Sequence, residues 1–417
     1  IKKETKDLLI TLKNTGEING PVIISGIKDG KSMTPLWIEG FKDKKTVRYF
    51  NGDYDNIRID YNGYMPETNR NNNIIKTKGL FKTCEPLKLQ IIGSFYHPEK
   101  TQIFFHPMIK WNMYDELSIG GSFYNRFVPK EGFSYKLTPM YSANAENNIA
   151  GSGKLGYEKH NQSALISRYK LGIRADQYLY STTDQYKRFE PSLDLDFRKE
   201  NLRSKKQSFI HTSFIHLNKG NETIQFAKAN YTYSNKRTIS PYSMHIKTEF
   251  GKVFTKANVI INYNHHINNK KRLQLRAYAG LVKTESSIYN LQMTAWNGLN
   301  DYMFSEKSLG RNASEGLYTQ QLFMNEGALK HHTNISSKKW LSTLSAEYNL
   351  TKRFRLYAEG GTNGTDVAYG AGLRIPLLQN IVNIYLPVYT EGGMVDFENY
   401  QDIFRFDINF DFKLSLF

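Results

Sequence analysis

From Pro107 onward the chain alternates apolar and polar residues in long runs, with no helical spacing between them. The last run is the clearest. From Phe404 to Leu416 every second residue is apolar (Phe404, Phe406, Ile408, Phe410, Phe412, Leu414, Leu416), while Arg405, Asp407, Asn409, Asp411, Lys413 and Ser415 fill the other parity. Period two is the signature of a strand with one apolar and one polar face. The run exceeds the usual globular strand of about 5–6 residues and matches the roughly 9–11 tilted residues that cross a bilayer. The same split recurs upstream. Leu165, Tyr169, Leu171, Ile173 and Ala175 oppose Arg168, Lys170, Arg174 and Asp176; Leu193, Leu195 and Phe197 oppose Asp194, Asp196 and Arg198; Leu273, Leu275, Ala277, Ala279 and Leu281 oppose Gln274, Arg276 and Tyr278.

Fifteen such segments can be marked: 109–126, 132–144, 148–159, 163–178, 188–200, 207–218, 223–234, 241–254, 256–267, 270–285, 338–350, 353–362, 366–376, 380–390 and 402–417. Single-chain bacterial barrels have an even count, so fourteen strands are expected, with twelve and sixteen as the even alternatives. The expected fold class is all-β: a transmembrane antiparallel barrel over 108–417, with a long loop at 286–337 and a small β-sandwich ahead of it. A loop of that length is far beyond a turn and either lies outside the membrane or folds back into the lumen.

Residues 1–64 hold shorter alternating segments, DLLITLKN, PVIISGIK, SMTPLWIEG, KTVRYF and NIRIDY, separated by Asn-, Asp- and Gly-rich turns. These are too short to span a bilayer and predict the sandwich. Residues 65–107 read as a connector broken by Pro66, Pro98 and Pro107, with a brief helix expected near Cys84 to Ile92.

Composition adjusts this picture at three points. A mean hydropathy of -0.55 and the lack of any apolar run of about 18 residues exclude a helical membrane protein, but not a barrel whose lumen is polar. The 28 Tyr and 25 Phe suit aromatic girdles, and the single cysteine excludes an intrachain disulfide framework. The net charge of +17 comes from scattered basic residues, which fits contact with anionic lipid head groups better than with nucleic acid. No signal peptide opens the sequence, so the expectation is a processed or longer region upstream of Ile1.

Two resemblances follow from these residues. The terminal strand ending in Phe417 is similar to the last strand of bacterial outer-membrane barrels, which implies that Phe417 is the signal read by the barrel-assembly machinery; Phe417 itself falls on the polar parity. The phrases LKNTGEINGPVIISGIKDGK and YFNGDYDNIRIDYNGYMPETNRNNN resemble the β-sandwich that follows the catalytic domain in gluzincin aminopeptidases. The strings WNMYDELSIGGSFYN, SYKLTPMYSANAENNIAGSG and the spread DY, LGR, QQ and NEGALK of 301–330 resemble a barrel module found in Bacteroidota behind gluzincin-type peptidase domains.

The chemistry of that family is missing from this stretch. A gluzincin needs His-Glu-x-x-His, and none of the ten histidines has that spacing, so no catalytic residue, metal or cofactor is expected. His265 and His266 are adjacent on a predicted strand and point to opposite faces, and His331 and His332 read as loop residues. Asp194 and Asp196 share a face and could form a carboxylate pair, but inward charges of both signs predict a salt-bridged lumen instead. The expected role is a non-catalytic outer-membrane anchor or scaffold for a soluble domain or a secretion- or barrel-assembly-type complex. The alternatives are the membrane part of a zinc metallopeptidase whose catalytic domain lies upstream, or a channel. Gly310, Arg311, Gln321 and Glu326 are the expected partner or lumen contacts. The expected partners are outer-membrane lipids including lipopolysaccharide, the barrel-assembly machinery as substrate or subunit, and envelope proteins.

Overall fold

The computed structural model describes all residues except 1, 4–6, 68–69, 71, 80–81, 83–86, 92–99, 113, 126–131, 144–148, 162–164, 182, 202, 269–270, 305–307, 309–315, 379–380, 397, 399 and 409–417. Cys84, Gly310, Arg311 and Phe417 therefore lie outside the described residues, as does the end of the terminal strand beyond Ile408. The chain forms two units, Ile1–His106 and Pro107–Phe417.

In the first unit, two small sheets enclose one core. Strands Asp7–Lys13 and Lys44–Phe50 pair antiparallel in one sheet, and Val22–Lys28 lies between Lys31–Ile38 and Asn56–Ile59 in the other, with Ile74–Lys76 added at its edge. Alternation fills the space between them: Leu8, Ile10 and Leu12 from one sheet meet Ile24, Ile38 and Ile57 from the other, around Tyr49 and Tyr54. The Tyr49 hydroxyl accepts from the Gly26 backbone N–H at 2.6 Å and donates to the Thr34 carbonyl at 2.6 Å, so this buried phenol is satisfied by two neighbouring strands. Gly26 leaves room for the Tyr54 ring, where any Cβ would collide. Buried Asp60 ends this series of strands with a positive φ, and its carboxylate accepts the backbone N–H groups of Tyr64 and Met65. The brief helix expected near Cys84 to Ile92 is corrected where it is described: Leu87–Ile91 is a strand, paired parallel with Thr101–Asn112. The reason is visible in LKLQI, whose apolar residues recur every second position.

Among the described residues the large sheet has eighteen strands in a closed, barrel order. Setting aside Leu87–Ile91, which runs parallel to its neighbour Thr101–Asn112, and the two-residue Gly393–Met394 leaves sixteen, one of the even alternatives to the fourteen expected. The one strand beyond the fifteen marked runs comes from a hairpin. The segment read as 109–126 is two strands, Thr101–Asn112 and Glu116–Tyr124, turning at Asp115. That turn carries neither the Gly nor the Asn-Gly that marks a tight hairpin. It is held instead by tertiary contacts: the buried Asp115 carboxylate accepts the Leu179 N–H, and Glu116 takes a positive φ. Splitting the segment turns the fifteen runs into sixteen.

Within the second unit neighbouring strands pair antiparallel in chain order, so each residue shares a face with its cross-strand partner. Lys170 lies opposite Asp194, Arg168 opposite Asp196, and Leu171 opposite Leu193. The parity read from the sequence therefore continues around the wall. Leu281 is 63% exposed and Leu344 59%, while Tyr278 and Leu341 on the other parity are buried.

Candidate functional site: a loop that fills the lumen

The loop between Arg272–Thr284 and Trp340–Asn349 is the element the inner wall is built around. Many of its apolar residues are among the most buried in the chain, although Ile288, Leu299, Leu317 and Tyr318 stay exposed. Trp296, Tyr302, Met303 and Phe304 pack on Tyr186, Ile215, Leu217, Ile224, Phe226 and Phe254, which project inward from four strands. Leu291, Met293 and Leu329 pack on Ile260, Tyr278, Val282 and Leu341. Ala295, Leu322 and Ala328 meet Tyr357 and Tyr385. The sequence could not announce this core. Inward wall positions such as Tyr186 and Phe226 read as interruptions of a polar parity, and only the loop supplies their partner.

Polar anchors hold the loop at defined points. The Lys256 ammonium donates to Glu326 Oε1 at 2.8 Å, with side chains 1% and 3% exposed. Glu326 Oε2 accepts the Gln292 backbone N–H at 2.6 Å, which closes the loop on itself. The Lys256 ammonium also lies 4.9 Å from the Tyr302 ring centroid and 5.7 Å from that of Trp296, adding cation–π contact to the ion pair. The Tyr302 hydroxyl donates in turn to Glu249 of the wall. Arg276 donates to the carbonyls of Glu326 and Gly327, and the Thr343 hydroxyl to that of Gly327 at 2.7 Å. Gly327 is required here, because a Cβ would collide with the Met293 carbonyl oxygen. Its neighbours Glu326 and Ala328 both take positive φ, a conformation kept only where the surroundings over-determine it.

A second anchor follows four residues on. The Lys330 ammonium lies 3.0 Å from Glu359 and 3.6 Å from Glu347, and Glu347 is also paired with Arg374 at 2.6 Å. His331 bridges Glu359 through Nδ1 at 3.2 Å and Glu391 through Nε2 at 2.9 Å. Gly370 makes room for this imidazole, since a Cβ there would press on the ring. Farther down, Asp407 accepts from Asn383 and from the Tyr385 hydroxyl, and Asn383 accepts from Arg374. A buried network of this kind is stable only when each member is satisfied.

Of the residues singled out from sequence, Glu326 is the carboxylate of the first anchor, and Gln321 is a buried loop residue bridged to Phe406. Gln320 donates to the Gln401 carbonyl beside it. Glu359 reads as an inward charge on its strand, whereas Lys256, Lys330 and Gly327 are not singled out by sequence. Each is an ordinary charge or glycine in the sequence, and its role depends on which strand the loop returns to. Asp194 and Asp196 do not pair with each other: Asp194 holds His211 at 2.5 Å, and Asp196 holds Arg168 at 2.7 Å. His265 stacks on Tyr263, and His266 accepts the Ser240 N–H, so the adjacent histidines go separate ways. One wall feature sets like charges side by side. Lys136, Lys154 and Arg174 lie directly opposite one another across three strands; among the described residues Arg174 pairs with Asp176 at 2.5 Å and also lies opposite Glu190.

No family model matches the chain, and no curated protein matches it. Among solved structures the chain is similar to the crystal structure of BamA from Haemophilus ducreyi lacking POTRA domains 1–3, at 11% identity, covering 74% of this chain and 70% of that one, with a TM-score of 0.38.

Proposed function

We propose that this chain is an outer-membrane β-barrel whose lumen is stopped by its own loop, and that it serves as a non-catalytic anchor or scaffold for a soluble domain or an envelope protein complex. The observation that carries the reading is the division of the wall. The outward parity is apolar and open to its surroundings, with Leu171, Phe189, Phe214, Phe250, Leu281 and Leu344 all exposed. The inward parity carries ion pairs and a packed loop. A continuous apolar band around a closed sheet would drive aggregation in water but is at home in lipid. Against a channel stands the aromatic and salt-bridged plug, which puts side chains where an aqueous path would run.

The test is reconstitution of the purified chain. It floats with liposomes and gives no steady conductance in planar bilayers. A protein that stays monodisperse in buffer without detergent would overturn the membrane reading, and steady conductance would overturn the scaffold role in favour of a channel. The gluzincin-like resemblance of the first 75 residues supports a peptidase context, which the reading frame upstream of Ile1 tests directly through the presence of His-Glu-x-x-His.

A further inference from the structure

Antiparallel pairing in chain order sends successive turns to alternate rims of the barrel, and the two rims carry opposite charge. On one rim lie the turns 198–205, 236–241, 267–271, 350–354 and 378–381. The first carries Arg198, Lys199, Arg203 and Lys205 against Glu200, and that carboxylate is already taken by Lys206 at 3.0 Å. The next carries Lys236 and Arg237, followed by Lys271 and then by Lys352 and Arg353. Among the described residues of these turns, nine cations face one carboxylate. On the other rim, the turns 180–184, 220–221, 252–253, 363–366 and 391–404 hold Asp184, Asp366, Glu391, Asp396, Glu398 and Asp402, with Lys252 the one described cation. The long loop, which enters at that rim, has Glu285, Asp301 and Glu326 against Lys330, Lys338 and Lys339 among its described residues, and so leaves the contrast untouched.

We propose that the basic rim is a docking surface for anionic lipid head groups, the phosphates of one leaflet, and that it fixes the orientation of the barrel in an asymmetric membrane. This rests on the membrane reading above and adds the lipid class to it. Three features point to a lipid layer. The cations are spread over successive turns around the rim rather than gathered in a pocket, as a sheet of phosphates would require. Two are aimed by neutral groups among the described residues: the Lys271 ammonium donates to the Leu350 carbonyl, and Arg237 to that of Ser240. Exposed apolar residues sit between them, namely Ile239 (70% exposed), Ile267, Leu350 and Phe354. Cations beside apolar side chains suit the boundary between phosphates and acyl chains. Packed cations repel one another, and a phosphate layer offsets that repulsion where neutral head groups do not.

The test uses the full chain in nanodiscs of phosphatidylcholine alone, with added phosphatidylglycerol, or with added lipid A, followed by native mass spectrometry of the lipids retained. Anionic lipid should be retained about tenfold over phosphatidylcholine, with the enrichment collapsing at about 0.5 M salt. Lys236→Glu/Arg237→Glu/Lys352→Glu/Arg353→Glu should abolish the enrichment, while Asp366→Lys/Glu398→Lys on the opposite rim should preserve it. Enrichment of either phosphatidylglycerol or lipid A supports the proposal and assigns the leaflet. Equal retention of neutral and anionic lipid by the unaltered chain overturns it, as does enrichment that survives both salt and charge reversal. Should the quadruple variant not fold, the salt dependence of the unaltered chain decides. Failure to enter any nanodisc overturns the barrel reading beneath it, and so separates the two.

Discussion

Lys256 and Glu326 come from elements seventy residues apart and meet with almost no water around either. Removing one partner from such a pair leaves an uncompensated charge and costs about 3–5 kcal/mol, while replacing both by apolar residues of similar size is nearly neutral. Lys256→Met should therefore lower the thermal transition of the detergent-solubilised protein markedly, Glu326→Leu should do the same, and the double variant should recover most of the loss. Additive losses in that cycle would show that the two side chains act separately. The row Lys136, Lys154 and Arg174 makes the opposite case, since like charges directly opposite on neighbouring strands are destabilising. Lys154→Gln is expected to raise the transition slightly, as read by calorimetry. In the first unit, Lys28 and Lys78 donate to Asp53 and hold its carboxyl at about 2, below the usual 3.8. A depressed carboxyl contributes its stabilisation above the unfolded value and loses it as pH falls through the folded one, here between about 4 and 2. Carboxyl NMR titration should place Asp53 near the lower figure and return it toward 3.8 in Lys28→Ala/Lys78→Ala.

At the scale of elements, the long loop behaves as an inserted core. Its two anchors, Glu326 and Lys330, flank Gly327, where the backbone passes too close to Met293 for any side chain. Gly327→Val should unseat the loop and leave the strands paired. The expected outcome is intermittent conductance in planar bilayers with an unchanged β-sheet circular-dichroism signal. Deleting 290–334 should convert a silent barrel into a steady pore. Silence after that deletion would mean that something other than the loop closes the lumen. The strands themselves were legible because period two needs only local sequence. The loop's destination was not, because NEGALKHH carries no periodicity, and its charges find partners only after the wall has closed. The missed hairpin at Asp115 has the same cause: its turn is held by Leu179, sixty-four residues away.

At the scale of the whole molecule, the wall has depth, and substitutions should report it. Ile173 lies midway along Ile166–Leu179 on the outward parity, whereas Ile267 lies beyond the end of Phe254–His266. An arginine facing lipid costs about 2–4 kcal/mol at the midplane and about 0–1 near the interfaces. Ile173→Arg should thus shift urea unfolding of the liposome-folded protein strongly, and Ile267→Arg hardly at all. Equal shifts would argue against a bilayer around this wall.

What the sequence determined by itself was the alternation, and with it the fold class, the two faces of each strand and a lumen of mixed charge, because side-chain direction in a strand depends on nothing beyond neighbouring residues. Tertiary structure alone decided where the run read as 109–126 folds back into two strands, that the long loop turns inward, that Lys256 finds Glu326, and that the basic turns gather on one rim. Each of these depends on which strands become neighbours. Whether a given turn faces one rim or the other reverses with a single miscounted strand, so the charge polarity of the barrel could not be read until every hairpin was in place.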